Sequence, residues 1–201
     1  MAYVAEITID TRWQVALEWD APAIRGPSVI DYNLNPRSID PNDIPRRGVF
    51  DTNRIAVPDF VVIAAWMALS KRVRDHIEAI EPGRNEYFPF ELARKKSKKP
   101  LMGPDGNLLT DPYYLLNVTT RIDAVRIDRS VISPMGRSAQ FVFALPYRLN
   151  EIVLDKSMVA GHHVWKGNKH LTGKVLFSNE LGEWIIRNKM RGLEMTHLRE
   201  E

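Results

Sequence analysis

The side chains of this chain best suited to hold a metal or move a proton near neutral pH are His162, His163 and His170. His162 and His163 are adjacent, so on a strand they point to opposite faces. His170 follows seven residues later, in the polar stretch Lys166-Gly167-Asn168-Lys169-His170. The order His163…Asn168…His170 is loosely like a nuclease arrangement. Such sites set these residues on a hairpin and helix with supporting metal ligands, which this stretch does not supply. Packing or surface histidines are the preferred reading. His76 and His197 are expected on a helix flank and near a terminal strand, without a chemical role.

Other reactive constellations are equally sparse. Asp123 and Asp128 flank Val125 and Arg126, and are expected to pair with Arg121 or Arg126. One such pair of acids does not define a glycosidase. No Gly-x-Ser-x-Gly elbow occurs, and Gly161 to Gly167 lacks the spacing of a phosphate-binding loop. Ser70 and Ser178 each precede a helical pattern and read as N-caps, whose hydroxyls accept an orphan amide proton, rather than as nucleophiles. The run Arg94-Lys95-Lys96-Ser97-Lys98-Lys99 holds five of the 28 basic residues, leaving 23 against 25 acids elsewhere. It can touch phosphates or an acidic partner, but a solvated loop is the plainer reading. Of the five tryptophans, Trp184 belongs to an apolar helical stripe, and Trp165 is the best candidate for an exposed aromatic, although core packing is preferred for it too. No catalytic, cofactor-binding or metal-binding residues are assigned, and no cofactor is expected.

The chain has 201 residues, no cysteine and a formal charge of +3. Disulfides, thiolate zinc sites, iron–sulfur clusters and cysteine nucleophiles are excluded. An apolar fraction of 44% with 26% charged residues describes an ordinary globular protein. Met1 to Glu6 lacks the basic start and apolar run of a signal peptide. The longest apolar stretch, Phe60 to Leu69, is far short of the roughly 20 residues of a membrane span. A cytoplasmic location is expected by default.

The elements that would position these residues follow from periodicity. Tyr3, Ala5, Ile7 and Ile9 alternate with polar residues, and Trp13, Val15, Leu17 and Trp19 continue the period of two, so a strand or hairpin is expected here. Residues 20–58 hold six of the 13 prolines together with many apolar side chains, which predicts a long irregular segment packed on the core. Residues 60–69 fit either a strand or the first turns of a helix. Val73, Ile77 and Ile80 give a helix after Ser70, stopped by Pro82-Gly83. Tyr87 to Leu92 reads as a short strand at an edge or interrupted by its proline. Gly103-Pro104-Asp105-Gly106-Asn107 predicts a turn, making 94–111 a projecting loop or hairpin. Strands are expected at Tyr113–Val118, Val125–Ile132, Gln140–Leu145 and Glu151–Leu154. A helix over Asn179–Lys189, ended by Gly192, leads into a short strand at Leu193–Met195. Ser70, helix, glycine, strand thus recurs as Ser178, helix, glycine, strand, and suggests two related α–β units.

Three blocks carry a family resemblance. Tyr113-Tyr114-Leu115-Leu116-Asn117-Val118, Ile122-Asp123-Ala124-Val125 and Asp128-Arg129-Ser130 resemble the central block of the bacterial Imm11 immunity family, first catalogued as a domain of unknown function. Leu176-Phe177-Ser178-Asn179-Glu180-Leu181 and Gly192-Leu193-Glu194-Met195 resemble its closing helix and strand, with Met195 where phenylalanine is common. Leu69 to Gly83, before Phe88-Pro89, matches its upstream helix. The likeness covers residues 69–198, with extra material at 94–111. The expected fold is α+β, a single domain with short, mostly antiparallel strands, a few capped helices and long irregular segments. The expected organisation is an N-terminal strand region and proline-rich packed segment over 1–58, continuous with an Imm11-like core over 59–201. The resemblance implies a non-enzymatic protein that binds and neutralises a cognate toxin domain of a polymorphic or contact-dependent system. If that toxin is a nuclease, its basic channel calls for an acidic face, for which Asp40, Asp43, Asp51, Glu180 and Glu183 are available. A nucleic-acid-binding protein using 94–99, Trp165, Lys166 and Lys169 ranks second. A metal-dependent hydrolase built on His162, His163 and His170 ranks third.

Overall fold

A computed structural model describes residues 1–7, 15–16, 39–50, 56–63, 66–94, 100–131, 133–134, 142–143, 146–171 and 173–201. In chain order the strands are β1 (Ala2–Ile7), β2 (Val15–Ala16), β3 (Arg47–Phe50), β4 (Phe60–Ile63), β5 (Trp66–Leu69), β6 (Asn85–Arg94), β7 (Tyr113–Val118), β8 (Arg121–Ile122), β9 (Ser133–Pro134), β10 (Val142–Phe143), β11 (Val153–Leu154), β12 (Val164–Gly167), β13 (Val175–Ser178) and β14 (Leu193–Glu200). The α-helices are α1 (Lys71–Ile80), α2 (Lys156–Val159) and α3 (Asn179–Arg187), with 3-10 turns at Pro41–Asp43 and Pro146–Glu151. The fold is α+β and strand-rich. It divides into two compact units that interleave along the chain. The first holds Met1–Glu6, Val118–Asn188 and Glu194–Glu201, and the second Ile7–Asn117 and Lys189–Leu193.

In the second unit a six-stranded sheet runs β2-β3-β6-β7-β5-β4. The apolar run 60–69 forms β4 and β5, paired antiparallel from Phe60↔Leu69 to Ile63↔Trp66, and the helix begins only after Ser70. β6 is longer than expected and lies inside the sheet, between β3 and β7. Pro89 is tolerated there because it is exposed and the parallel ladder to β3 starts only at Glu91. One sheet face carries a core of Ile39, Val57, Val61, Phe90, Tyr113, Leu115 and their neighbours. Ile39 and Ile44 are buried in it, as expected of a proline-rich segment packed on a core. The turn at 103–107 is formed, with Gly103 N donating to Asn107 O at 2.7 Å and Gly106 at φ 84°.

In the first unit the order is β11-β14-β1-β13-β12-β8. β1 sits in the middle, so Ala2, Tyr3, Val4 and Ala5 are all buried rather than alternating. Trp165, Leu176, Val4, Leu154 and Leu198 form the core on one face. On the other, α3 lies so close that a Cβ on Gly182 would meet the Tyr3 ring at 2.2 Å. β14 runs on to Glu200, well past the Leu193–Met195 expected. The strand expected over Val125–Ile132 is not formed in its described residues, 125–131. Val125 makes one isolated bridge to Leu154, and residues 127–130 turn back, because Ser130 spends its hydroxyl on the Val153 backbone. Of Glu151–Leu154 only Val153–Leu154 is strand. Within Gln140–Leu145, Val142–Phe143 pairs with β9 and the rest lies outside the described residues, as do Ile9, Trp13, Trp19, most of 20–58 and Lys95–Lys99.

The two units share a topology. Five neighbouring strands run β3-β6-β7-β5-β4 in one and β11-β14-β1-β13-β12 in the other. β3 and β6 are parallel, as are β11 and β14. β5 is antiparallel to β4 and β7, as β13 is to β12 and β1. In each set the helix joins the fourth strand to the second, β5 to β6 in one and β13 to β14 in the other. Only the fifth strand differs in origin, since β7 follows β6 in the chain whereas β1 precedes everything else. The likeness extends to single contacts. Ser70 N donates to Asp59 O at 2.8 Å, and Ser178 N to His163 O at 3.0 Å. The same serine hydroxyls lie 3.0 Å from Asp59 Oδ1 and His163 Nδ1.

Asp59 is fully buried and collects segments of the second unit. Arg72 donates to it twice, at 2.6 and 2.8 Å, and Ser70 Oγ and Arg191 N each donate at 3.0 Å. Asp59→Ala is expected to cost about 3 kcal/mol, read as a fall in the urea midpoint at constant slope. Gly192 has φ 94°, and a Cβ there would stand 2.1 Å from Phe60 O, whereas Gly83, at φ 68°, has nothing within 4 Å. Gly192→Ala should therefore destabilise by well over the ~1 kcal/mol expected for Gly83→Ala, measured the same way.

Candidate functional site

The three candidate histidines are not brought together as a ligand set. His163 Nδ1 lies 3.0 Å from Ser178 Oγ, and His170 Nδ1 2.8 Å from Asp123 Oδ1. Among the described residues no group of three or more histidine, aspartate or glutamate side chains is placed to hold a metal ion. Asp123 pairs with His170, and Asp128 pairs with Arg126 as expected, at 3.1 Å. His163, Ser178 and Glu180 invite comparison with a catalytic triad. However, the Glu180 carboxylate, at 3.8 Å, approaches the same Nδ1 that the serine occupies. A proton relay needs hydroxyl and carboxylate on opposite ring nitrogens. Ser178 Oγ also accepts Leu181 N at 3.2 Å, so it caps α3 as expected. Ser70 occupies the matching position before α1 but makes no side-chain cap; its hydroxyl donates to Asp59.

Two of the residues in the nucleic-acid reading are buried, whereas Lys169 is exposed and Lys95–Lys99 lie outside the described residues. Trp165 is 1% exposed and belongs to the core of the first unit. Lys166 is 4% exposed, on the opposite sheet face, in the cross-strand row Ala5–Val175–Lys166–Arg121. Burial, and then the neighbouring Arg121 charge, pulls the Lys166 ammonium down to about 8. Burial also lowers Arg121. Of the proposed acidic face, Asp40 is exposed in the second unit, where it caps the 3-10 turn, and Glu180 and Glu183 are exposed on α3 in the first. Glu183 accepts the Tyr3 hydroxyl at 2.9 Å. Asp51 and the Asp43 side chain lie outside the described residues.

The site that sequence reasoning missed lies in the second unit, between α1 and the start of β6. Val73 and Ile77 bury one stripe of α1, which places Arg74, Glu78 and the capping Glu81 toward the sheet. Asn85 and Tyr87, two apart on β6, share the face turned to them. Asn85 and Glu81 are buried, at 8% and 3% exposure, and Arg74, Glu78 and Tyr87 are half-buried around them. Glu78 Oε2 accepts Gly83 N at 3.3 Å, but its buried Oε1 has no hydrogen-bonding group in reach among the described residues. The Asn85 side chain adjoins the Tyr87 hydroxyl, yet neither completes a well-formed hydrogen bond with any of them. Arg74 is otherwise engaged. Its guanidinium stacks 4.3 Å over the Tyr114 ring, donates to Tyr114 Oη at 3.2 Å and meets Asp75 at 3.0 Å. Burial, followed by the Glu78 and Glu81 carboxylates, raises the Tyr87 phenol well above its usual range, so it stays protonated. Each buried polar group left unmatched costs about 1–3 kcal/mol, and native structures keep few of them. The only sequence signal was the polar word Glu81 to Glu86 directly after a helix, which reads equally as a loop.

A family model described as "Immunity protein family (Imm11)" matches residues 30–200. The chain belongs to the Imm11 immunity protein family. The match reaches well upstream of residue 69, into the proline-rich segment that delivers Ile39 and Ile44 to the core. No curated protein matches the chain. Among the described residues no helix is long and apolar enough to cross a membrane.

The buried ammonium gives a pH signature. Because Lys166 is lowered from 10.5 to about 8, the folded state binds fewer protons than the unfolded state between those values. Its contribution to stability therefore rises with pH across that window and is flat below it. Lys166→Met should remove that rise and add about 1–3 kcal/mol at pH 7, as measured by urea unfolding at pH 7 to 10.

Proposed function

We propose that this protein binds and neutralises the toxin domain of a cognate polymorphic or contact-dependent system, acting in the cytoplasm by covering or locking the toxin without catalysing a reaction. The observation that carries the reading is the family match across residues 30–200, which spans both compact units. The geometry is in keeping with it. The histidine, serine and carboxylate groups that resembled reactive sets are engaged pairwise, in caps and ion pairs. Neutralisation of this kind calls for an interface of at least about 1,200 Å² with a few dominant side chains.

The nucleic-acid reading is not favoured, since Trp165 and Lys166 are buried. The metal-hydrolase reading is not favoured either, since His163 and His170 are committed to Ser178 and Asp123.

Calorimetric titration against the toxin domain encoded beside the gene tests the proposal. One-to-one binding at a Kd of about 10 nM or tighter, with loss of toxin activity in the same mixture, is expected. Folded partners that do not bind would remove the reading.

A further inference from the structure

The two five-strand sets share their middle and differ at their ends. A sheet edge leaves backbone N–H and C=O groups unpaired, and native proteins cover or blunt such edges. Three of the four ends carry a further segment: β2 pairs with β3, β8 with β12, and Val125 bridges Leu154 on β11. The fourth end is β4. Among the described residues it is closed only at Phe60, whose N–H donates to Arg191 O at 3.0 Å while Gly192 lies against Phe60 O. Backbone groups alternate in direction along a strand, so Val62 turns its N–H and C=O to the same outer side as Phe60. No described residue pairs with Val62 on that side. The first unit shows what belongs there. Counted from Asp59 and His163, Val62 stands where Lys166 stands. Lys166 N donates to Thr120 O at 3.0 Å, and β8 continues parallel, with Arg121 beside Lys166 and Ile122 beside Gly167. Beside that strand Lys166 is 4% exposed. Val62, the apolar member of the pair, is 38% exposed and is the one exposed residue of β4. The cross-strand row that is Ala5–Val175–Lys166–Arg121 in the first unit is Leu116–Met67–Val62 in the second, apolar throughout and ending at the open edge.

We propose that β4 receives an extended segment of the partner protein, running parallel to it and setting an apolar side chain beside Val62. This rests on the immunity reading and deepens it, by naming part of the contact surface and the kind of segment the toxin presents there. Strand addition draws its affinity from main-chain hydrogen bonds and its specificity from the side chains along the edge. A partner C=O takes the Val62 N–H, as Thr120 O takes that of Lys166, and a partner N–H reaches Val62 O. The partner residue in the place of Arg121 extends the row Leu116–Met67–Val62, so it is apolar where β8 carries a cation.

The test follows amide hydrogen exchange by NMR in the full chain, alone and bound to the toxin domain encoded beside the gene. In the free chain the Val62 amide is expected to exchange at least about tenfold faster than those of Val61 and Ile63, which face β5. Toxin binding should slow it by about tenfold or more. Val62→Lys puts a charge at an exposed edge position, so it should keep the thermal midpoint and weaken toxin binding by about tenfold or more. Val62→Ile should bind as the unaltered chain does. A Val62 amide already as slow as that of Val61 in the free chain would overturn the proposal, because the chain itself, or a second copy where the protection depends on concentration, then covers the edge. A Val62 amide unchanged in the complex, toxin binding by Val62→Lys equal to that of the unaltered chain, or the close Hα–Hα contacts of an antiparallel partner strand would overturn it too. The exchange measurement needs no variant and decides even where Val62→Lys fails to fold. If the unaltered chain binds the toxin and Val62 is unaffected, the edge proposal fails and the immunity reading stands. If the two folded proteins do not bind, the immunity reading fails and the strand partner falls with it.

Discussion

The second unit is organised around a single buried carboxylate. Asp59 stands at the entry to β4 with no exposure to solvent. Placing a bare carboxylate there would be prohibitive, so the surrounding chain is arranged to satisfy it. Arg72 comes from the first turn of α1, Ser70 from the residue before it, and Arg191 N from a segment more than a hundred residues away. The last contact is reinforced by Phe60 N donating to Arg191 O at 3.0 Å, and by Gly192, whose missing Cβ lets the backbone lie against Phe60 O. Arg191 Nη2 then reaches Pro104 O at 2.7 Å, and Tyr113 Oη donates to Pro58 O at 2.7 Å. One charge thereby sets where the helix starts, where the 103–107 turn sits and how the segment 189–193 is held.

The matching position in the first unit shows what the charge adds. His163 makes the same two contacts to Ser178 that Asp59 makes to Ser70, with an imidazole in place of the carboxylate. Ser178 is free to cap α3 through Leu181 N, and Glu180 supplies an acid in the first turn. α1 has no acid there and begins with Lys71 and Arg72, an unfavourable start against the helix dipole. The Asp59 carboxylate beside Ser70 and Arg72 offsets it. Two solutions to one problem, a cap with a local acid and a buried carboxylate with a recruited arginine, sit on the same strand–helix–strand frame.

Much of that frame was legible in the sequence, because it is written in local periodicity and punctuation. Val73 and Ile77 with Pro82-Gly83 bounded α1, and the words around Ser70 and Ser178 disclosed the repeated unit. The equivalence of β1 with β7 was not legible, since no pattern in Ala2 to Ile7 says that it will lie between β13 and β14. β6 was underestimated because Pro89 reads as an edge signal, and its harmlessness depends on where β3 begins. Val125–Ile132 was misjudged because Ser130 acts through its side chain on the Val153 backbone, a contact made across 23 residues. The burial of Lys166 was hidden for a similar reason. In a polar stretch with Asn168 and Lys169 a lysine reads as solvated, and only the cross-strand row to Val175 and Ala5 puts it inside.

The functional reading followed a different route, from residue words shared with a family, and those words turn out to be architectural. Ser178 is a cap, Gly192 a close approach and Tyr113 a core ring with its hydroxyl on Pro58 O. They report the frame and say nothing of what the frame presents. The polar cluster between α1 and β6 is the converse. Its Glu78, Asn85 and Tyr87 are ordinary surface types in the sequence, and their joint character arises only when a helix and a strand lay them on facing sides. A frame fixed by caps, glycines and one buried charge can keep its shape while the side chains at such a cluster change. What holds the frame is thereby separate from what the frame presents, as expected where sites are grafted on a common fold.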